Sequence, residues 1–305
     1  FLTFLVLISL FLYFKFNNSQ SESKYFFLSK ETAIIMNNWF MMYFLAVVLV
    51  GTVYPIFLEV VAGTKISVGP PYFNQLIIPL LIPFLLLMAL GTKLDWIKSK
   101  KLKFNLKKIA ILVISIFISF YIVRNLNTKF LFSFLLILAS LYLFFISIID
   151  LKSQKFKWSQ KISHLAFSIL IISIILNSMF SEEFSVNMKV GEEKMVSNNI
   201  IIFEKISKQE IDNYTSIVAE IEIKQNQKKL KFYPELRLYK TPETVTSEAD
   251  IKTNLFNDNL LVVNYLKDTD YLNIRYQKKP LMLLIWISAI MLSLGGILGL
   301  RDKLK

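Results

Sequence analysis

The 305-residue chain has no cysteine and only one histidine, His164. Without thiols it can make no disulfide framework for an exported domain, no thiolate nucleophile and no sulfur-ligated metal site. With one imidazole it offers a single nitrogen ligand of the kind that binds a transition metal or a haem iron. Glycine and proline are scarce, at 8 each. No phosphate-cradling glycine loop, internal repeat or pair of catalytic carboxylates within an apolar run can be found. Acidic residues are almost missing from the apolar runs, which disfavours a proton-relay pump. The formal charge of +13 does not point to nucleic acid. The stretch from Phe180 to Lys279 carries 15 basic and 16 acidic residues, so the surplus sits in short loops between apolar runs, where it is a topology signal.

What is abundant is apolar: 54% hydrophobic residues, 27 of them phenylalanine, and a mean hydropathy of +0.51. Seven runs approach or reach bilayer-spanning length: Phe1–Phe16, Trp39–Leu58, Phe73–Leu90, Ile109–Val123, Phe130–Ile149, Ile162–Met179 and Pro280–Leu300. Each can satisfy its backbone in lipid only as a helix. Pro79 and Pro83 predict a bend in the third run. The chain starts with Phe1 inside an apolar stretch that has no charged leader region, as expected of a chain cut from something longer.

Lysine-rich loops fix the orientation. Lys93, Lys98, Lys100, Lys101, Lys103, Lys107 and Lys108 lie between runs three and four. Lys152, Lys155, Lys157 and Lys161 lie between runs five and six, and Arg301, Lys303 and Lys305 end the chain. These belong on the cytoplasmic side, or on the matrix side in a mitochondrion. The chain then divides into a membrane domain of six spans (1–179), an exported segment (180–279) and a final span with its tail (280–305). The exported segment reads as all-β. Asn199–Phe203, Ser216–Ile223, Lys229–Tyr239, Leu260–Tyr265 and Leu272–Tyr276 are β-branched, aromatic or alternating runs separated by polar turns. They suit a small sandwich or open barrel, with a helical stretch near Ser247–Leu255. The fold class is an α-helical polytopic membrane protein of about seven spans with an inserted periplasmic all-β domain.

Four features could carry function. His164 enters its apolar run near the lysine-rich side. It reads either as an interfacial histidine bonded to a neighbour or headgroup, or as an axial ligand to haem. Gly51-Thr52-Val53-Tyr54-Pro55 and Ser67–Asn74, with Gly69, Pro70, Tyr72 and Asn74, read as interface anchoring or as a rigid outer rim shaping a pocket. Ser29 is placed to cap a short amphipathic helix leading into the second run, ahead of Asn37-Asn38. Glu235, Arg237 and Tyr239 alternate along one strand face, either as a solvated surface or as a partner contact.

In order along the chain, Ser29-Lys30-Glu31-Thr32 with Asn37-Asn38, Gly51–Pro55, Ser67–Asn74, Ser163-His164-Leu165-Ala166, Glu235–Tyr239, Ser247–Ile251, and Lys279-Pro280 with Ile285-Trp286 and Gly295-Gly296 resemble the C-terminal half of the CcmF family. That family is the haem-lyase component of cytochrome c maturation. The resemblance implies that His164 is one of two transmembrane histidines ligating haem b. It implies haem reduction and covalent attachment of haem to apocytochrome c. It implies as partners an upstream half of the same protein, the other maturation subunits including the haem chaperone and the apocytochrome-binding component, apocytochrome c itself and a quinol donor. The family's tryptophan-rich exported motif and its remaining histidines would lie upstream of Phe1, since Trp39, Trp96, Trp158 and Trp286 are scattered. On this reading the chain is inactive alone. It is either a fragment or half of a split protein in a bacterial inner membrane. A non-catalytic scaffold that docks maturation partners and a permease-like subunit are the competing readings.

Overall fold

A computed structural model describes residues 29–96, 106–124, 130–196, 199–225, 228–266 and 269–304. The expected span at 1–16 lies outside the described residues. Within them, six helices are long and apolar enough to cross a membrane, and a ten-stranded β-sandwich is inserted before the last. The chain divides into two compact units, residues 1–114 and 115–305.

The first unit is built on α1 (Lys30–Ala62) and α2 (Pro70–Gly91). Ser29 does cap a helix: its Oγ accepts the Thr32 N–H at 3.3 Å, and Glu31 lies in the positive first turn. No short separate helix follows, however. Nothing between Lys30 and Trp39 breaks the backbone ladder, so the capped turn opens the membrane helix directly. At 1.5 Å per residue these 33 residues reach about 50 Å, against a hydrocarbon core of about 30 Å. Phe40 and Phe44 of α1 meet Phe84 of α2 edge-on at 5.7 and 5.5 Å, and Tyr43 Oη donates to Leu76 O at 3.2 Å. At one end Lys30 N donates to Asp95 O at 3.1 Å. Pro79 and Pro83 stand inside α2 without ending it.

Helix α3 (Leu106–Arg124) begins in the first unit and ends in the second. The second unit continues with α4 (Phe130–Leu151), α5 (Trp158–Phe180) and, after the sandwich, α6 (Met282–Leu304). Serine hydroxyls in these apolar helices bond back to the preceding turn. Ser119 donates to Ser115 O, Ser140 to Leu136 O, Ser147 to Leu143 O and Ser288 to Leu284 O, at 2.6 to 2.8 Å.

The strands are β1 (Glu182–Met188), β2 (Glu193–Val196), β3 (Asn199–Ile211), β4 (Tyr214–Gln225), β5 (Lys228–Phe232), β6 (Glu235–Lys240), β7 (Glu243–Glu248), β8 (Asp250–Thr253), β9 (Asn257–Tyr265) and β10 (Leu272–Pro280). One sheet runs β1-β10-β9-β8. The other runs β2-β3-β4-β6-β7, with β5 also on β4. Period-two alternation sends Ile201 and Phe203, Ala219, Ile221 and Ile223, Leu261 and Val263, and Ile274 and Tyr276 into a common core with Phe232 and Met188. Tyr276 is buried whole. Its hydroxyl donates to Asn259 Oδ1 at 2.8 Å, and burial pushes the phenol up to about 12.

Two expectations are corrected. Lys229–Tyr239, read as one strand, is split at Tyr233-Pro234. The register nevertheless runs through the break: Ile221 faces Phe232, Val218 faces Glu235, and Ala219 N donates to Pro234 O at 3.0 Å. The helical stretch expected near Ser247–Leu255 is instead the end of β7 and all of β8. Ser247 pairs with Leu236 in one sheet and Ile251 with Leu260 in the other, so the chain crosses between sheets at Ala249. Cross-strand pairing decides the conformation there over local preference.

Candidate functional site

His164 is the seventh residue of α5 and is half-buried. Its immediate neighbour Ser163 packs directly against Gly295 of α6. A Cβ on Gly295 would collide with Ser163 Oγ and stand 3.1 Å from its backbone nitrogen. One turn further along α6, a Cβ on Gly299 would lie 3.8 Å from Ser159 Cβ. Two glycines four apart thus let the two backbones close up, as small residues do between membrane helices. Polar bonds fasten the pair at both ends. Ser159 Oγ donates to Asp302 Oδ2 at 2.9 Å, and Asn177 Nδ2 donates to Pro280 O at 2.5 Å.

Successive helical residues are about 100° apart, so His164 stands off the stripe that packs on α6. On another flank, one turn before it, Lys161 is 7% exposed. Its ammonium donates to Leu151 O, the last carbonyl of α4, at 3.0 Å and lies 4.6 Å from the Trp158 ring centre. A cation on a helix C-terminus is favourably placed. The sequence reading treated Lys161 as a loop charge; it is a buried tie between α4 and α5. No signal in the sequence distinguishes it from its neighbours.

The residues read as an outer rim lie in one place. Gly69 caps α2 in an extended conformation, and prolines occupy the first two helical positions. Tyr72 N donates to Gly69 O at 3.2 Å. The Tyr72 and Phe73 rings, 5.2 Å apart edge to face, close over Gly51, where a Cβ would lie 2.8 Å from Phe73 and 2.9 Å from Tyr72. The two sequence motifs Gly51–Pro55 and Ser67–Asn74 are therefore two sides of one contact. Pro70 and Asn74 are exposed.

Glu235, Arg237 and Tyr239 also come together. Arg237 Nη2 donates to Glu235 Oε2 at 3.0 Å, and its other terminal nitrogen is 3.8 Å from Glu248. The guanidinium lies 5.2 Å from the Tyr214 ring centre, and the Tyr214 and Tyr239 rings are 5.3 Å apart. Arg237 holds the Glu235 carboxyl below its ordinary value, helped by Ser216; Glu235 in turn raises the guanidinium. Tyr214, Ser216 and Glu248 were not singled out in the sequence. They lie on neighbouring strands, and only the register, Tyr214 with Tyr239 and Ser216 with Arg237, brings them in.

His164 and the Glu235–Arg237–Tyr239 cluster are not one site. His164 lies 16 residues, or about 24 Å of helix, before Phe180, where the sandwich begins. Among the described residues no group of three or more potential metal ligands is found. The chain can therefore contribute one imidazole to a haem iron and not a pair. A half-buried ring on an apolar helix, with the small side chains of Ser163 and Ser168 near it, fits that single role.

Residues 179–280 match the CcmF C-terminal beta-sandwich family. The chain is 27% identical to the cytochrome c-type biogenesis protein CcmF of Pseudomonas aeruginosa over 90% of its own length and 44% of that protein's. Against the Pseudomonas fluorescens CcmF the identity is 27%, over 99% and 48%. Against that of Escherichia coli it is 26%, over 90% and 44%. In structure the chain is similar to a solved cytochrome c heme lyase CcmF, with a TM-score of 0.70, 18% identity, and coverage of 90% of this chain and 46% of that one. The chain spans about half the length of the relatives it matches.

Proposed function

We propose that this chain, which belongs with the C-terminal half of the CcmF family, is the part of a cytochrome c haem lyase that supplies one axial ligand to a transmembrane haem b. The observation that carries this is the placement of its only imidazole. His164 stands half-buried on an apolar helix of spanning length, beside the close Ser163–Gly295 contact with α6.

Bound haem would supply an iron that takes up and passes on one electron; on this reading, that electron reduces the substrate haem before its attachment. The chain's own residues do the positioning. The Gly295–Ser163 contact and the Ser159–Asp302 and Asn177–Pro280 bonds hold α5 against α6. The Lys161 tie to Leu151 holds it against α4. The imidazole is thereby offered from a backbone braced on two sides, which an axial ligand needs to keep its geometry. The Gly51–Tyr72 rim and the Glu235–Arg237–Tyr239 cluster are proposed as contacts for partners or for the upstream half. On this reading the sandwich lies on the periplasmic side of a bacterial inner membrane, and the lysine-rich loops on the opposite side support that orientation. Apocytochrome c, the haem chaperone and the apocytochrome-binding component are the partners this role requires, with a quinol as donor.

The test uses the chain joined to its upstream half, purified in detergent. The reduced-minus-oxidised spectrum of His164→Ala is expected to lose the b-type signal, while the protein still elutes as a single folded species. A mutant with full b-haem content would end the ligand assignment.

A further inference from the structure

The turn between β8 and β9 carries two large apolar side chains in the open. Leu255 is 72% exposed and Phe256 is 73% exposed. Their conformation is held rather than loose. Asn254 Oδ1 accepts the N–H groups of both Phe256 and Asn257, at 2.9 and 2.8 Å, and Asn254 N donates to Asn257 O at 3.0 Å. A fixed turn that presents Leu and Phe to solvent is costly in water, because it keeps apolar area wet that a polar turn would not have.

Its position supplies the reason. Leu281 N donates to Phe256 O at 2.8 Å, and Leu281 O accepts from Leu284 N and Ile285 N to start α6. Leu281 itself is the only described residue besides glycine with a positive φ, at 61°, a conformation that costs a branched side chain energy and persists only where surroundings impose it. The turn is thus bonded to the residue that immediately precedes α6. Asn177, near the end of α5, bonds to Pro280 one residue earlier. Trp286, one turn and a half into α6 and exposed, is the kind of residue that sits at the headgroup boundary. Leu255 and Phe256 therefore project from the sandwich beside the end of α5 and the start of α6. Lys279 lies on β10 opposite Asp258 at the start of β9, on a stem long enough to meet lipid phosphates.

We propose that the β8–β9 turn is a lipid-binding wedge: Leu255 and Phe256 enter the outer-leaflet interface and give the sandwich a third foothold beside its two covalent ones. The occupant is lipid and not protein, because the turn is bonded to the residue just before α6, whose first turns expose the apolar side chains of Leu284, Trp286 and Ile287.

The absence of cysteine makes the test direct. The full chain carrying Leu255→Cys or Phe256→Cys is labelled with an environment-sensitive fluorophore and reconstituted into phosphatidylethanolamine–phosphatidylglycerol vesicles. Tyr265→Cys is the reference. It is exposed at the far end of β9, about 27 Å from Asn257. Labels at 255 and 256 are expected to be quenched by doxyl-labelled lipid and to be several-fold less sensitive to aqueous iodide than the label at 265. Iodide quenching equal to the reference would overturn the wedge. Protection from both quenchers would overturn it too, since protein would then cover the turn. All three positions are exposed, so labelling does not disturb the core.

Discussion

A single methyl group sets the distance between α5 and α6. At Gly295 an added Cβ would meet both the hydroxyl and the backbone of Ser163; the hydroxyl can turn away, the backbone cannot. Gly295→Leu is expected to push the helices apart and destabilise the protein by about 1–3 kcal/mol, read as a lowered thermal midpoint in detergent. Under the proposed ligand role of His164 it should also lower the haem content, because His164 is the next residue after Ser163. An unchanged midpoint would mean that the contact is not close in the folded protein. Asn177→Ala removes the bond to Pro280 O and should cost about 1 kcal/mol by the same measurement. At this scale the sequence is legible where a residue is rare and silent where it is common. His164 stands out as the one imidazole. Lys161 is one of many lysines, and only the Leu151 carbonyl beside it reveals a buried tie.

Among the elements, the helices were legible because hydrophobic length is a property of consecutive residues. Their ends were less so: α1 starts nine residues before Trp39, since a capped polar turn carries no apolar signal. Long alternating strands such as β3, β4, β9 and β10 were found. The short strands β1, β2, β7 and β8 were not, because four to seven polar-rich residues become strand only through the partner they pair with. The Pro234 break shows the same rule from the other side, since pairing with β4 carries one register across an interruption. Phe232, the last residue before that break, is fully buried against Tyr276 with ring centres 6.1 Å apart. Phe232→Ala is expected to cost about 3–5 kcal/mol and to melt the sandwich while leaving the helices folded. Circular dichroism in the β and α regions separates the two, and a loss of both together would contradict it.

Across the molecule, most of the described carboxylates lie in the β-sandwich, and they set its acid tolerance. Lys231 bridges Glu204 and Glu220 at 3.1 Å each, and Glu192 takes the backbone N–H of Lys189. The Glu220, Glu192 and Glu235 carboxyls are all held below their ordinary 4.5, first by Lys231, by the Lys189 backbone and by Arg237 respectively. A carboxyl with a depressed folded-state value stabilises the fold above its unfolded value, and that stability is lost as pH falls through the folded one. The thermal midpoint should therefore be flat near neutrality and drop below about pH 4.5, the window these shifts define. Glu220→Gln should lower the neutral midpoint slightly and reduce the acid drop. A midpoint that rises on acidification would contradict the sign. Because these pairs reach solvent, salt should shrink the effect.

The β-sandwich enters on β1 and leaves on β10, which are hydrogen-bonded neighbours with Glu182 opposite Lys278. Its two ends are thus as near each other as two paired strands can be, about 5 Å. A short hairpin could join α5 to α6 in its place without moving either helix. The sandwich is in this respect a cassette: an insertion at the tip of a helical hairpin that could be gained, exchanged or lost while the helices that flank it stay as they are.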